Sequence, residues 1–251
     1  MKVVCALACR VQSTRLYGKP LQFLDVKNNI TILDYLLEQL EASPHINQTV
    51  LAVSEGEENT PFKKIADDKH LDYVVGDQKD VLGRLIAAGK KGGADIIFRV
   101  TSECPFIYNE GIGPALDRHI KNKADLTIIE GLPEGSYFEF INLSALEKAH
   151  KEGEDRHRSE MCSLYINENQ DKFVVQKIVI DDMDDLKLHR PDIRITVDWP
   201  EDLIVVREIY KALKKEGRFI AIKDIIDYLD SHVTLKKLNG WIDAGEGRIW
   251  N

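Results

Sequence analysis

Arg10, Ser13, Thr14, Arg15, Gly18 and Lys19 follow one another in a short segment directly after an apolar run, Val3 to Cys9. Three cations, two hydroxyls and a glycine leaving a buried strand are equipped to hold a polyphosphate. Guanidinium groups grip phosphate oxygens in a bidentate way, and a lysine acts as a point charge. Hydroxyls and loop N–H groups add donors. The bland alternative is a solvated basic loop. The segment is neither G-x-x-x-x-G-K-[ST] nor G-x-G-x-x-G, which disfavours a dinucleotide enzyme.

A second set is acidic. Glu103 and Asp198 each end an apolar run and sit just before a proline, Pro105 and Pro200. Two carboxylates converging at strand ends suit Mg²⁺, which takes a few protein oxygens plus substrate phosphates. Alternatively, each acid caps the helix that follows. His157 and Glu160 could pair as metal ligands or as acid and base, but they lie in the charged run Glu154 to Glu160 and read as surface. The run Asp181-Asp182-Met183-Asp184-Asp185 lacks the glycine and terminal glutamate of a calcium loop and reads as a solvated turn.

The elements that must position these groups alternate. Lys2–Cys9, Thr49–Val53, Asp72–Val75, Asp95–Val100 and Asp125–Ile129 have the apolar, β-branched character of buried strands. Between them, helical spacing marks Ile32–Leu40 with Thr31 as N-cap, a helix opened by Thr60-Pro61, Val81–Lys90 and Glu110–Lys121. Successive β-α steps predict a mostly parallel sheet with helices on both faces, whose ligands bind at the carboxyl ends of the strands. Arg10 and Glu103 both fall on that edge.

The middle third reads differently. Leu132-Pro133-Glu134-Gly135 predicts a turn and Phe173–Ile180 a β-rich run, so residues 131–192 suggest an antiparallel insertion or lid. Ile193–Asp198 is expected as a strand, Trp199 to about Lys215 as a helix, and Ile222–Leu229 as the last helix. The tail, Leu235 to Asn251 with Trp241 and Trp250, is apolar enough at intervals to pack on a partner subunit.

The 251 residues suit one domain able to bury a core without staples. A net charge of −8, from 34 basic and 42 acidic side chains, argues against general nucleic-acid or anionic-membrane binding, yet permits one basic pocket. Four scattered cysteines form no disulfide framework, and Cys5 and Cys9 should face one buried layer as apolar filler. No apolar stretch approaches a membrane span. A cytoplasmic, reduced protein is expected.

These residues also match a pattern. Ala8 to Leu21 closely resembles the A-R-x-x-S-T-R-L-P-G-K-P-L signature of CMP-sugar synthetases, the Kdo and acylneuraminate cytidylyltransferases among them. Asp80-Val81-Leu82-x-Arg84 and Arg99 to Ile107 resemble the D-V-L-x-R and R-I-T-A-D-C-P-L-I segments of the spore-coat polysaccharide (SpsF-type) branch. Gly135 to Glu139 and Arg194 to Asp202 resemble its G-x-x-x-E and R-L-T-V-D-T-P-E-D segments. The motifs are collinear across roughly residues 1–215.

The resemblance implies an α/β fold of the nucleotide-diphosphosugar-transferase type (Rossmann-like, GT-A), a single domain over 1–251, and 131–192 as an acceptor and dimerisation subregion. It implies a homodimer that joins CMP from CTP to a sugar acid or related acceptor, releasing pyrophosphate, for surface polysaccharide or glycoconjugate synthesis. By position, Arg10, Ser13, Arg15 and Lys19 would hold the triphosphate, with Arg10, Arg15 and Lys19 as the catalytic cations. Ala8, Asp80, Arg84 and Ser102 would lie beside the nucleotide. Glu103 and Asp198 would hold Mg²⁺, and Glu139, Arg158 and Glu160 would form the acceptor pocket. Tyr17 stands where the family has proline, Glu103 where it has aspartate, and Met161 where many of the branch have histidine. A glycosyltransferase of the same fold, or a non-catalytic nucleotide-binding homologue, remains the alternative.

Overall fold

A computed structural model describes residues 1–180 and 186–242. The acidic run 181–185 and the end of the tail, including Trp250, lie outside the described residues. Seven strands form the main sheet: β1 (Val3–Cys9), β4 (Gln48–Ser54), β5 (Asp72–Gly76), β6 (Ile96–Arg99), β7 (Leu126–Glu130), β8 (Glu139–Asn142) and β9 (Val175–Val179). Their order is β5-β4-β1-β6-β8-β7-β9. A separate antiparallel pair, β2 (Phe23–Asp25) and β3 (Ile30–Thr31), follows the cationic segment.

β1 is central and pairs in parallel with β4 and β6. Its side chains alternate between two cores, as a strand buried on both faces requires. Val3, Cys5, Leu7 and Cys9 pack with α1 (Ile32–Ala42), α2 (Thr60–Asp68), α4 (Ile112–Lys121), α7 (Pro200–Leu213) and α8 (Ile222–Ser231). Val4 and Ala6 pack with α3 (Val81–Gly92), α5 (Leu143–Glu152) and α6 (Leu164–Glu168). Cys5 and Cys9 do share one buried layer, and both are free thiols. Thr31 caps α1 in a capping box, its Oγ1 accepting from the Asp34 amide at 3.0 Å.

The antiparallel element expected in the middle third is β8, and it is built into the main sheet between β6 and β7. The link from β7 to β8 is too short for a helical crossover, so β8 must run back beside β7. β9, by contrast, pairs with β7 in parallel. Residues 193–198 do not form the expected strand. They pack on the 132–136 turn through one parallel bridge, Glu134 to Arg194, with the Glu134 amide donating to the Ile193 carbonyl at 2.8 Å. A turn offers a partner only one residue long, so no ladder develops. Gly135 permits this contact: its φ is +98°, and a Cβ there would meet the Thr196 nitrogen at 2.3 Å. Ile222–Ser231 is not the last helix either. α9 (Val233–Asn239) follows and packs within the chain on α7 and α8.

Candidate functional site

The cationic segment leaves β1 and closes on itself. Gly18 adopts the left-handed conformation, φ 61°, and its amide donates to the Val11 carbonyl at 2.8 Å. Asn59, buried in the turn just before α2, accepts through its side chain from the Val11 amide at 2.9 Å and anchors the near side. Lys19 and Pro20 then form a short 3-10 turn. The cations face acids. Lys19 Nζ lies 2.6 Å from Asp198 Oδ1, and Arg15 reaches the same oxygen at 3.5 Å while its guanidinium sits 5.6 Å over the Trp199 ring. Arg10 pairs with Glu160.

Glu103 and Asp198 stand opposite this segment. Neither caps a helix: the residue entering α7 is Trp199, whose amide is accepted by Asp202, and no helix starts at Glu103. Asp198 is gripped instead. Its Oδ2 accepts from Arg194 Nη2 at 2.7 Å, and its amide donates to Asp202 Oδ2 at 2.9 Å. Burial would raise the Asp198 pKa, but Lys19, Arg194 and Arg15 outweigh it and hold the carboxyl below its ordinary range. Glu103 is shifted the other way. Burial raises its pKa, Lys19 opposes, and the Asp198 charge adds to the rise.

This pair fits a divalent cation. The donors are hard carboxylate oxygens, and the charge of Glu103 is undercompensated in a way that an adjacent dication would relieve. Among the described residues no cluster of three or more His, Cys, Asp or Glu side chains could hold a metal. Such an ion would therefore complete its shell with substrate oxygens and water, as Mg²⁺ commonly does.

The cleft has two compartments with Glu103 on the wall between them. The first is lined among others by Ala8, Arg10, Ser13, Lys19, Arg84, Ser102 and Glu103. The second is lined by Arg99, Glu103, Glu134, Tyr137, Thr196 and Asp198 among others. Ser102 ties the β6 loop to β1 by donating to the Ala8 carbonyl at 2.8 Å. Arg84 lies on the first turns of α3, 2 % exposed, with Nη1 donating to the Ala52 carbonyl at 3.2 Å and Nε without a hydrogen-bond partner.

Other expected residues are placed elsewhere. Asp80 ends the loop before α3 and does not line the first compartment, whereas Arg84, on the helix itself, does. Asp80 caps α3 by accepting from the Gly83 amide at 2.7 Å, and His150 Nε2 lies 2.6 Å away. With Arg158 it lines a neighbouring open groove, which shares Arg10, Val81 and Glu160 with the first compartment. Arg158 pairs with Asp155 at 2.9 Å. Glu139 is fully buried and cannot meet an acceptor directly: Arg99 takes one oxygen at 2.7 Å and Ser163 Oγ donates to the other at 2.5 Å. Its location inside the sheet, paired with β6, dictates this role. His157 pairs with Glu168 at 2.9 Å rather than with Glu160, its Nδ1 accepting from the Glu154 amide.

Arg99, Glu134 and Arg194 line or frame the cleft without having been singled out as site residues. Arg99 and Arg194 begin two of the matched segments, which was the available signal. Glu134 carried none, since it reads as part of a turn.

A family model described as cytidylyltransferase matches residues 4–236. An uncharacterized protein of Methanocaldococcus jannaschii is 30% identical over 241 residues, covering 95% of each chain. The spore coat polysaccharide biosynthesis protein SpsF of Bacillus subtilis is 23% identical over 214 residues, covering 83% of this chain and 86% of its own. Among solved structures, a cytidylyltransferase from Leptospira borgpetersenii superposes with a TM-score of 0.83 at 22% identity, over 98% of this chain and all of the other.

Proposed function

The chain belongs to the cytidylyltransferase family, and on that footing we propose that it transfers CMP from CTP to a hydroxyl of a sugar acid or related acceptor, releasing pyrophosphate. The observation that carries this reading is the convergence at Asp198. Lys19 and Arg15 reach its Oδ1 from the cationic segment at 2.6 and 3.5 Å, where the two compartments share Glu103. One compartment offers cations to a triphosphate. The other offers room for an acceptor at the same carboxylates.

In this reading the first compartment takes CTP, with Arg84 and Ser102 beside the nucleotide and Ser13, Arg10, Arg15 and Lys19 on its phosphates. The acceptor oxygen attacks the α-phosphorus and loses its proton, while the bond to the pyrophosphate oxygen breaks. Lys19 and Arg15 neutralise charge gathering on the leaving pyrophosphate. They can do so because their present partner, Asp198, is also held by Arg194. Glu103 and Asp198 would hold Mg²⁺, which supplies Lewis-acid polarisation of a phosphoryl oxygen. Segment 131–192 furnishes Glu134, Gly135, Tyr137 and Phe138 to the second compartment, which supports its assignment as the acceptor subregion.

The same reading places the enzyme in the cytoplasm as a homodimer serving polysaccharide or glycoconjugate synthesis. The likeness to SpsF, itself named for spore coat polysaccharide biosynthesis, supports that setting. Among the described residues no helix is long and apolar enough to cross a membrane. Incubation with CTP, Mg²⁺ and a panel of Kdo-like, nonulosonate, phosphonate and polyol-phosphate acceptors tests the activity. Pyrophosphate release with at least one acceptor is expected. No release with any, together with no thermal shift on adding CTP, would overturn it.

A further inference from the structure

We propose that Asn239, on α9 near the end of the described chain, is a positioning residue that aims Asp198 through Asp202 and Arg194. The role for Asp198 rests on the nucleotidyltransferase reading above. The polar chain is continuous. Asn239 Nδ2 donates to Asp202 Oδ1 at 2.8 Å and to the Arg194 carbonyl at 3.1 Å. Asp202 has no solvent exposure, and its Oδ2 accepts from the backbone amides of Asp198 and Trp199, each at 2.9 Å. Arg194 Nε donates to Asp202 Oδ1 at 2.9 Å, and its Nη2 to Asp198 Oδ2 at 2.7 Å. Both the backbone and the carboxylate of Asp198 are thus held by groups that trace to Asn239.

A buried carboxylate keeps its orientation only while its lone pairs are satisfied. Asp202 Oδ1 has Arg194 Nε and Asn239 Nδ2 as its donors. Arg194 is itself shared among Glu134, Asp198 and Asp202, so it can re-aim toward any of three acids. Asn239 is neutral, 2 % exposed and carried on a helix packed against α7 and α8. It removes that freedom without adding charge. It lines neither compartment, so its effect on chemistry is indirect. Partners that orient a metal-ligating carboxylate typically change metal affinity when removed.

The test uses the full chain and Asn239→Leu, which keeps the branched side-chain shape and removes the donor. Backbone hydrogen exchange at Asp198 and Trp199 should accelerate by about tenfold or more, with β4 amides unchanged. Mn²⁺ affinity in the presence of CTP, read by electron paramagnetic resonance, should fall about 10- to 100-fold. CTP affinity without metal should change less than about twofold. Unchanged exchange at 198 and 199, or equal acceleration at β4, would overturn the proposal. Should Asn239→Leu not fold, Asn239→Ala gives the same comparisons. A wild-type chain that bound neither CTP nor Mn²⁺ would sink the nucleotidyltransferase reading and leave the exchange comparison to decide the positioning role.

Discussion

The two walls of the cleft are built on opposite principles. The cationic wall, Arg10 to Lys19, is a loop whose backbone is held at two amides, Gly18 donating to the Val11 carbonyl and Val11 donating to the Asn59 side chain. Its arginines are 38% and 44% exposed and rest on acids that the proposed triphosphate would displace. The acidic wall is fixed from behind, where Arg194, 6% exposed, is clamped by Glu134, Asp198 and Asp202. A wall that must exchange partners when a polyanion arrives needs solvent and mobility. A wall that must present one oxygen at one place needs buried, satisfied hydrogen bonds. The difference predicts that mutations on the first wall change binding and rate, while those on the second change stability as well.

The largest expected effect breaks the contact between the walls. Lys19→Ala should lower kcat/KM for CTP about a thousandfold, because it removes a cation where charge develops. Pyrophosphate release at saturating acceptor checks this, and a loss under tenfold would move the role to Arg15. Next comes the fixed wall. Arg194→Met leaves Asp202 buried without its charge partner and should cost about 3–5 kcal/mol in urea unfolding. An equally stable variant would mean that the acidic wall is as loosely held as the cationic one.

Glu103 sharpens the comparison, since it belongs to the acidic wall yet has no dedicated cation. Burial raises its folded pKa. Its stabilising contribution is therefore complete below the ordinary carboxyl range and is lost as pH rises through the raised folded value. Glu103→Gln should accordingly raise the metal-free Tm by about 2 °C or more at pH 7 and show no gain near about pH 4, while weakening Mn²⁺ binding. A lower Tm at pH 7 would show that Glu103 is compensated after all. The smallest effect belongs to the displaceable wall. Glu160→Gln frees Arg10 from an exposed pair and should tighten CTP binding about two- to fivefold by calorimetry. Weaker binding would mean that Glu160 itself serves the ligand.

What could be read from the sequence was local. Val3–Cys9 announces a central strand because every residue is apolar, and Thr31 announces a helix start because Asp34 completes its cap. The cation cluster is contiguous, so its chemistry is visible before any folding. Expectation and structure part where a residue's meaning depends on a distant partner. Glu139 looks like an available acid until Arg99 and Ser163 close on it. Residues 193–198 have strand character, but the neighbour they meet is a turn. β8 was invisible as a sheet member because its place between β6 and β7 depends on a connection length, not on its own four residues.

The sequence by itself determined the alternation of elements, the cationic segment after β1 and the family pattern, because each depends on residues close in the chain. Tertiary structure decided how the acids facing that segment are held. Asp198 became the point of convergence because Arg194, Asp202 and Asn239 meet behind it from separate parts of the chain. Burial then makes each of those hydrogen bonds costly to break, which turns a spacing of residues into a fixed direction in space.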